Sequence, residues 1–143
     1  MLQAKRPDEI ANLIEKAKNS GVAALNILSS ALLYVNRQII LTSVERQRIP
    51  AIYPWPEASE EGGLVAYGAR ILQMYRDILA RQAVKLLRGT KRSELPVEQP
   101  TFFELVVNLK AAKALGLKPS ESFLARADGD RTTQVGEETG QQY

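Results

Sequence analysis

Leu95–Leu117 reads LPVEQPTFFELVVNLKAAKALGL. Pro96 and Pro100 bound a run, Thr101–Val107, that is rich in aromatic and β-branched residues, which predicts a strand over Phe102–Val107. The alanine-rich stretch Leu109–Leu115 predicts a short helix. Asn108 stands between them, where a short polar side chain caps a helix start, and Gly116 stands where a helix ends. A strand that runs directly into a helix is the repeating unit of an α/β sheet. Phe102 and Phe103 must point to opposite sheet faces, so one suits a core and the other a contact.

The same alternation extends upstream. Arg70–Arg88 predicts the longest helix, with Ile71, Leu72, Tyr75, Leu79, Ala83 and Leu86 as its apolar stripe and Gly89 closing it. Leu64–Tyr67 predicts a strand after the Gly62-Gly63 pair, and Glu57–Glu61 a polar loop or single helical turn. Ile49–Tyr53 predicts another strand, with Pro50 suited to its beginning. Val35–Gln47 predicts a helix with Ile39, Ile40 and Val44 inward. Val22–Leu28, apolar except for Asn26, predicts a strand buried on both faces and ended by Ser29-Ser30. Asp8–Asn19 predicts an amphipathic helix with Pro7, Asp8 and Glu9 at its start. Ser122–Ala127 predicts one more helical turn. From Asp128 to Tyr143 almost nothing is apolar, so 1–127 is expected to fold and 128–143 to form a disordered tail. The expected class is α/β with a mostly parallel sheet.

Composition excludes several chemistries. With no cysteine there is no disulfide or thiolate, and with no histidine there is no Ser-His-Asp arrangement. The net charge of +3 comes from interspersed acids and bases. Arg70, Arg76, Arg81, Lys85 and Arg88 share one helix with Asp77, which reads as a solvated exterior rather than a nucleic-acid stripe. The N-terminus lacks the uninterrupted apolar core of a secretory signal.

A set of ordered pieces resembles the ABC-transporter substrate-binding proteins of the tryptophan/tyrosine type. The pieces are RPDEI (Arg6–Ile10), GVAALNIL (Gly21–Leu28), RIPAIYP (Arg48–Pro54), GGLVAYG (Gly62–Gly68), the long stretch Leu86–Leu117, and LARAD (Leu124–Asp128). The resemblance implies a partial type I periplasmic-binding-protein fold, in which two α/β lobes hinge around a ligand in the cleft between them. It implies a closing half only, with a family length about twice this chain. It places the strands at Val22 and Ile49 in the second lobe, sends the Leu64 strand and the long helix to the first, and returns at Phe102. A chain holding pieces of both lobes is expected to expose apolar faces and to self-associate as a homo-oligomer. The implied partners are a small-molecule ligand and an ABC-transporter membrane subunit, with no cofactor, metal or catalysis. The implied location is periplasmic or extracytoplasmic, or cytoplasmic if Met1 is the native start. Two departures stand out: LKPSESFLARAD retains one proline where the family segment has two, and the loop before Gly62 is more acidic than usual.

Ligands of open α/β sheets lie beyond the carboxyl ends of strands. That rule selects Ser29 and Ser30, then Tyr53, Trp55 and Glu57, then Tyr67. Serine hydroxyls can hold a carboxylate, and Tyr53 and Trp55 can stack on a planar ligand. The plainer alternatives are a strand end and a plugged gap. Gly63 admits a close backbone approach to a ligand or a tight strand entry. Glu57, Glu60 and Glu61 form a local acid cluster that suits a cation, acid-base work, or simply solvent.

Overall fold

The computed structural model describes residues 2–128. Its centre is a four-stranded sheet in the order β1-β2-β3-β4, made of β1 (Leu25–Asn26), β2 (Ala51–Tyr53), β3 (Val65–Gly68) and β4 (Glu104–Val107). The first three run parallel and β4 runs antiparallel to β3. The mostly parallel α/β sheet expected from the alternation is therefore present.

The register pairs Leu25 with Ala51, Tyr53 with Ala66, and Ala66 with Val106, which puts these residues on one face. Three helices cover that face. A single 3-10 turn at Pro7–Glu9 leads into α1 (Ile10–Asn19), whose Ile10, Ile14 and Ala17 are buried. α3 (Arg37–Gln47) adds Ile40, Leu41 and Val44, and the two helices pack on each other. α4 (Pro56–Glu60) is one turn that lies against β2, β3 and β4. The core so formed joins Ile49, Ala51, Tyr53, Ala58 and Ala66 to the helix residues.

Several expected elements differ for local reasons. The strand expected over Val22–Leu28 pairs only at Leu25–Asn26, and it has one neighbour rather than two. Its residues are accordingly half-buried or exposed rather than buried on both faces. The helix expected over Val35–Gln47 is two, α2 (Ala31–Val35) and α3, because Asn36 turns its side-chain amide onto the Leu32 carbonyl at 2.8 Å. Within α3, Ile39 lies outward and Leu41 takes the inward place. The Leu64 strand does not leave for another lobe. β3 lies beside β2 in the same sheet, since the single turn of α4 suffices to bring the chain back to the neighbouring position.

What leaves the sheet is the segment between Gly68 and Glu104. It begins with a helix over 71–87, composed of α5 (Ile71–Met74), a π-helical turn at Tyr75–Leu79 and α6 (Ala80–Leu87). A return strand of irregular chain lies back along it, tied by Arg81 to Glu98 at 2.6 Å and by the Gln82 amide to the Pro96 carbonyl at 3.1 Å. No residue between Gly68 and Glu104 is buried. After β4 come α7 (Leu109–Ala114) and α8 (Glu121–Leu124). Asp128 then docks on β4: its N–H donates to the Leu105 carbonyl at 2.9 Å, and its Oδ2 accepts the Leu105 N–H at 2.8 Å. The disordered tail expected from the composition otherwise lies outside the described residues. Among the described residues no helix is long and apolar enough to cross a membrane.

Candidate functional site

The parallel strands deliver their carboxyl ends to one rim of the sheet, where α2, α4 and the start of the long helix meet. β1 ends into Ser29 and Ser30, both exposed. Ser30 caps α2, its Oγ accepting the Leu33 N–H at 3.1 Å. That bond uses an oxygen lone pair, so the hydroxyl proton stays free to donate. Ser29 and Ser30 stand at the end of a groove of about 570 Å³ that runs along the open edge of β1. Apolar side chains make most of its wall, among them Ile10, Leu13, Leu25, Ile27 and Leu33, and Gln3 and Asn26 add polar groups. An apolar wall with a few polar groups at one end is the usual composition of a small-molecule site.

β2 delivers Tyr53 and then Trp55 to the same rim, but both rings are buried, 2% and 1% exposed. Trp55 meets the edge of Tyr34 with ring centroids 5.3 Å apart. Arg37 covers the other part of Tyr34, 5.0 Å from its centroid, and its guanidinium holds Glu61 at 2.8 Å. Tyr34 and Trp55 thus form a closed wall behind the strand ends, not the open stacking surface expected of Trp55. Burial pushes the Tyr53 phenol above its ordinary range. Burial also raises Tyr34, with the Glu57 carboxylate as the next cause.

Gly63 lies before β3, at the opposite end from the rim. A Cβ there would come within 2.7 Å of the Tyr53 ring and 2.8 Å of the Ala58 carbonyl, so its smallness serves packing. Tyr67, near the end of β3, is 56% exposed and stacks on Phe103 with centroids 6.0 Å apart. Phe102 and Phe103 both precede β4 and are both exposed, so neither is the core member expected of the pair; Phe103 makes the contact with Tyr67.

The acid cluster is divided among separate structural partners. Glu57 Oε1 accepts the Ile71 N–H at 3.2 Å, Glu60 pairs with Arg70 at 2.6 Å, and Glu61 takes Arg37 and the Gln38 amide. Among the described residues no group of three metal-binding side chains converges. Glu57 Oε2 is buried and has no hydrogen-bond partner among them. None of these partners is adjacent in sequence, which is why the cluster could be read equally as a solvated loop.

The rim thus brings together Ser29, Ser30 and Glu57 with the buried pair Tyr53 and Trp55, while Tyr67 lies two strands from β1 and Gly63 away from the rim. Tyr34 and Arg37 were not singled out from sequence. Their only trace there was a tyrosine and an arginine just after the Ser29-Ser30 break.

Solved structures share this fold. A domain from Streptococcus pneumoniae in complex with L-Trp superposes with TM-score 0.78 at 24% identity, over 89% of this chain and 42% of the other. A conserved domain protein from Vibrio cholerae gives TM-score 0.80 at 19% identity, with the same coverage of 89% and 42%. The ligand-free, open structure of a substrate-binding protein with adhesive properties from Clostridium difficile gives TM-score 0.52 at 24% identity, over 84% and 40%. This chain thus spans about two fifths of the length of the solved relatives. No curated protein matches it significantly. The sequence profile described as ABC transporter substrate binding protein matches residues 1–130, which include the whole sheet and its flanking helices, and the chain belongs to that family.

Proposed function

We propose that this chain serves as solute-binding machinery of an ABC importer and takes a small organic solute with a carboxylate, an amino acid being the foremost class. The observation that carries this is the family match across residues 1–130. A fold neighbour that holds L-Trp favours an amino acid with an apolar body. The chemistry at the rim agrees. Ser29 and Ser30 offer hydroxyl donors for a carboxylate, and the apolar groove they end accepts the body of the solute. Tyr53 and Trp55 act as the wall behind the site, Gly63 lets that wall close, Glu57 stands at the same rim, and Tyr67 lies two strands farther along it at the end of β3. The transporter's membrane subunit is the partner that reads the bound state, and the site of action is extracytoplasmic. The role is binding, without catalysis.

The test is a thermal-shift and calorimetry panel of amino acids and related small acids. A ligand at about 100 times its Kd raises stability by about 2.7 kcal/mol. Ser30→Ala should weaken that response while costing the unliganded chain only about 1 kcal/mol of stability, the usual cost of a lost helix cap. A panel with no shift at millimolar ligand removes solute binding from this chain.

A second activity is favoured by a separate observation, the exposed apolar stripe of the long helix, where Leu72 is 65% and Tyr75 51% exposed. Such a stripe suits homo-association. Light scattering that gives a clean monomer at micromolar concentration excludes it.

A further inference from the structure

The sheet body and the segment 69–103 are joined by two chain crossings, one leaving after β3 and one returning into β4. Arg70 stands on the first, directly before the long helix, and Glu104 is the first residue of β4 on the second. The Arg70 Nε donates to both oxygens of Glu104, at 2.8 and 2.9 Å. Its Nη2 donates to Glu60 Oε1 at 2.6 Å and its Nη1 to Glu60 Oε2 at 3.3 Å. Glu60 belongs to α4, which is packed on the sheet. One planar fork therefore grips the outgoing chain, the returning chain and the body together.

This is not an ordinary surface pair. The Arg70 side chain is 18% exposed and that of Glu104 11%. The hydrogen bonds it donates to Glu60 and then to Glu104 hold the guanidinium above its already high ordinary range. Beside it, the Ile71 N–H reaches the Glu57 carboxylate, so α4 holds the first turn of the long helix at two successive residues. The ion pairs within the segment itself, Arg81 and Lys85 to Glu98, touch neither crossing.

We propose that Arg70 is the positioning residue of the crossing, and that its double carboxylate grip sets the angle at which segment 69–103 leaves the sheet body. Without the guanidinium, the start of the segment loses its tie to α4 and β4, and Glu60 and Glu104 are left as like charges with no shared cation between them. The grip belongs to the chain itself and holds whether or not a solute binds.

The absence of cysteine makes the test direct. Lys18→Cys on α1 and Arg88→Cys at the far end of the long helix carry spin labels, both at exposed positions. The labelled chain is diluted with unlabelled chain so that distances between molecules drop out, and pulsed EPR reads the body-to-segment distance. The parent gives one narrow distribution. Arg70→Gln broadens it to about twice its width with an unchanged circular dichroism spectrum. The exchange Arg70→Glu with Glu104→Arg narrows it again relative to Arg70→Gln. Arg81→Gln leaves it as in the parent. Should Arg70→Gln fail to fold, Arg70→Lys, which keeps the charge and loses the fork, gives an intermediate width. A parent-like distribution in Arg70→Gln or Arg70→Lys overturns the proposal, as does an equal broadening in Arg81→Gln, which would make the effect one of general loosening.

Discussion

α1 and the long helix over 71–87 are alike in sequence and opposite in circumstance. Both carry an apolar stripe at helical spacing. The stripe of α1 is buried at Ile10, Ile14 and Ala17 against α3 and the sheet. The longer and equally well-formed stripe of the second helix buries no residue, and Leu72, Tyr75 and Leu79 are about half exposed or more. An amphipathic pattern thus records that a helix has a side suited to burial. It does not record whether the burying surface lies in the same chain. The rest of the contrast follows from it. The body has a core and hydrogen-bonded strands, and segment 69–103 has no buried residue and is held by ion pairs, hydrogen bonds and the exposed stack of Phe103 on Tyr67.

The largest test of that contrast is a pair of truncations. Ile40→Ala, at a position 1% exposed, should cost about 2–5 kcal/mol, whereas Leu87→Ala should cost less than about 0.5 kcal/mol. Urea midpoints read both, and comparable costs would mean that the long helix is packed in solution. Gly68→Ala probes the body where it meets the crossing. A Cβ there would collide with the Pro54 carbonyl oxygen, so the backbone must move, at about 1–3 kcal/mol or more. An unchanged midpoint would show that β3 can shift away from Pro54 freely. Asn108 comes next. Its Oδ1 caps α7 by accepting the Ala111 N–H at 2.9 Å, and its Nδ2 donates to the buried Ser59 carbonyl at 3.0 Å. Asn108→Ala should lose about 1–2 kcal/mol, and Asn108→Ser, which keeps a cap but not the amide, should recover part of it.

The smallest effect at neutral pH is that of Tyr53→Phe. The folded phenol is held above its ordinary range, while in the unfolded chain it ionises near about pH 10. The stability tied to the neutral phenol is therefore full below about pH 10 and declines as pH rises beyond it. Tyr53→Phe should be near neutral at pH 7 and should lessen the alkaline decline. If both chains lose stability in parallel above pH 10, burial of this phenol is not a cause.

The order of elements was legible because strands and helices write short-range periods into the sequence. Asn108 was legible for the same reason, since a cap acts within three residues. Gly116 ends α7 at a positive φ of 74°, a conformation that a glycine announces. Arg48 ends α3 in the same left-handed region, φ 50°, and nothing announced it. Its compensation is remote, because its guanidinium donates to the Ala114 carbonyl at 2.8 Å at the end of α7. The candidate site shows the same division. The strand-end rule located Ser29 and Ser30, but whether Tyr53 and Trp55 face ligand or core depends on α2 and α4 closing over them. The three glutamates found partners at Arg37, Arg70 and Ile71, between ten and twenty-four positions away. Such pairings leave no periodic mark.

The two margins of the sheet have unequal prospects. At β4, both main-chain groups of Leu105 that point away from β3 are already engaged by Asp128, so lateral growth on that flank meets a blocked position. At β1, the flank beyond Leu25–Asn26 has no strand beside it among the described residues and adjoins an oily trough. Any additional strand, from this polypeptide or another, has its natural berth there. Extension of the sheet would thus be directional, with the serine-bearing tip of β1 brought inward from the margin.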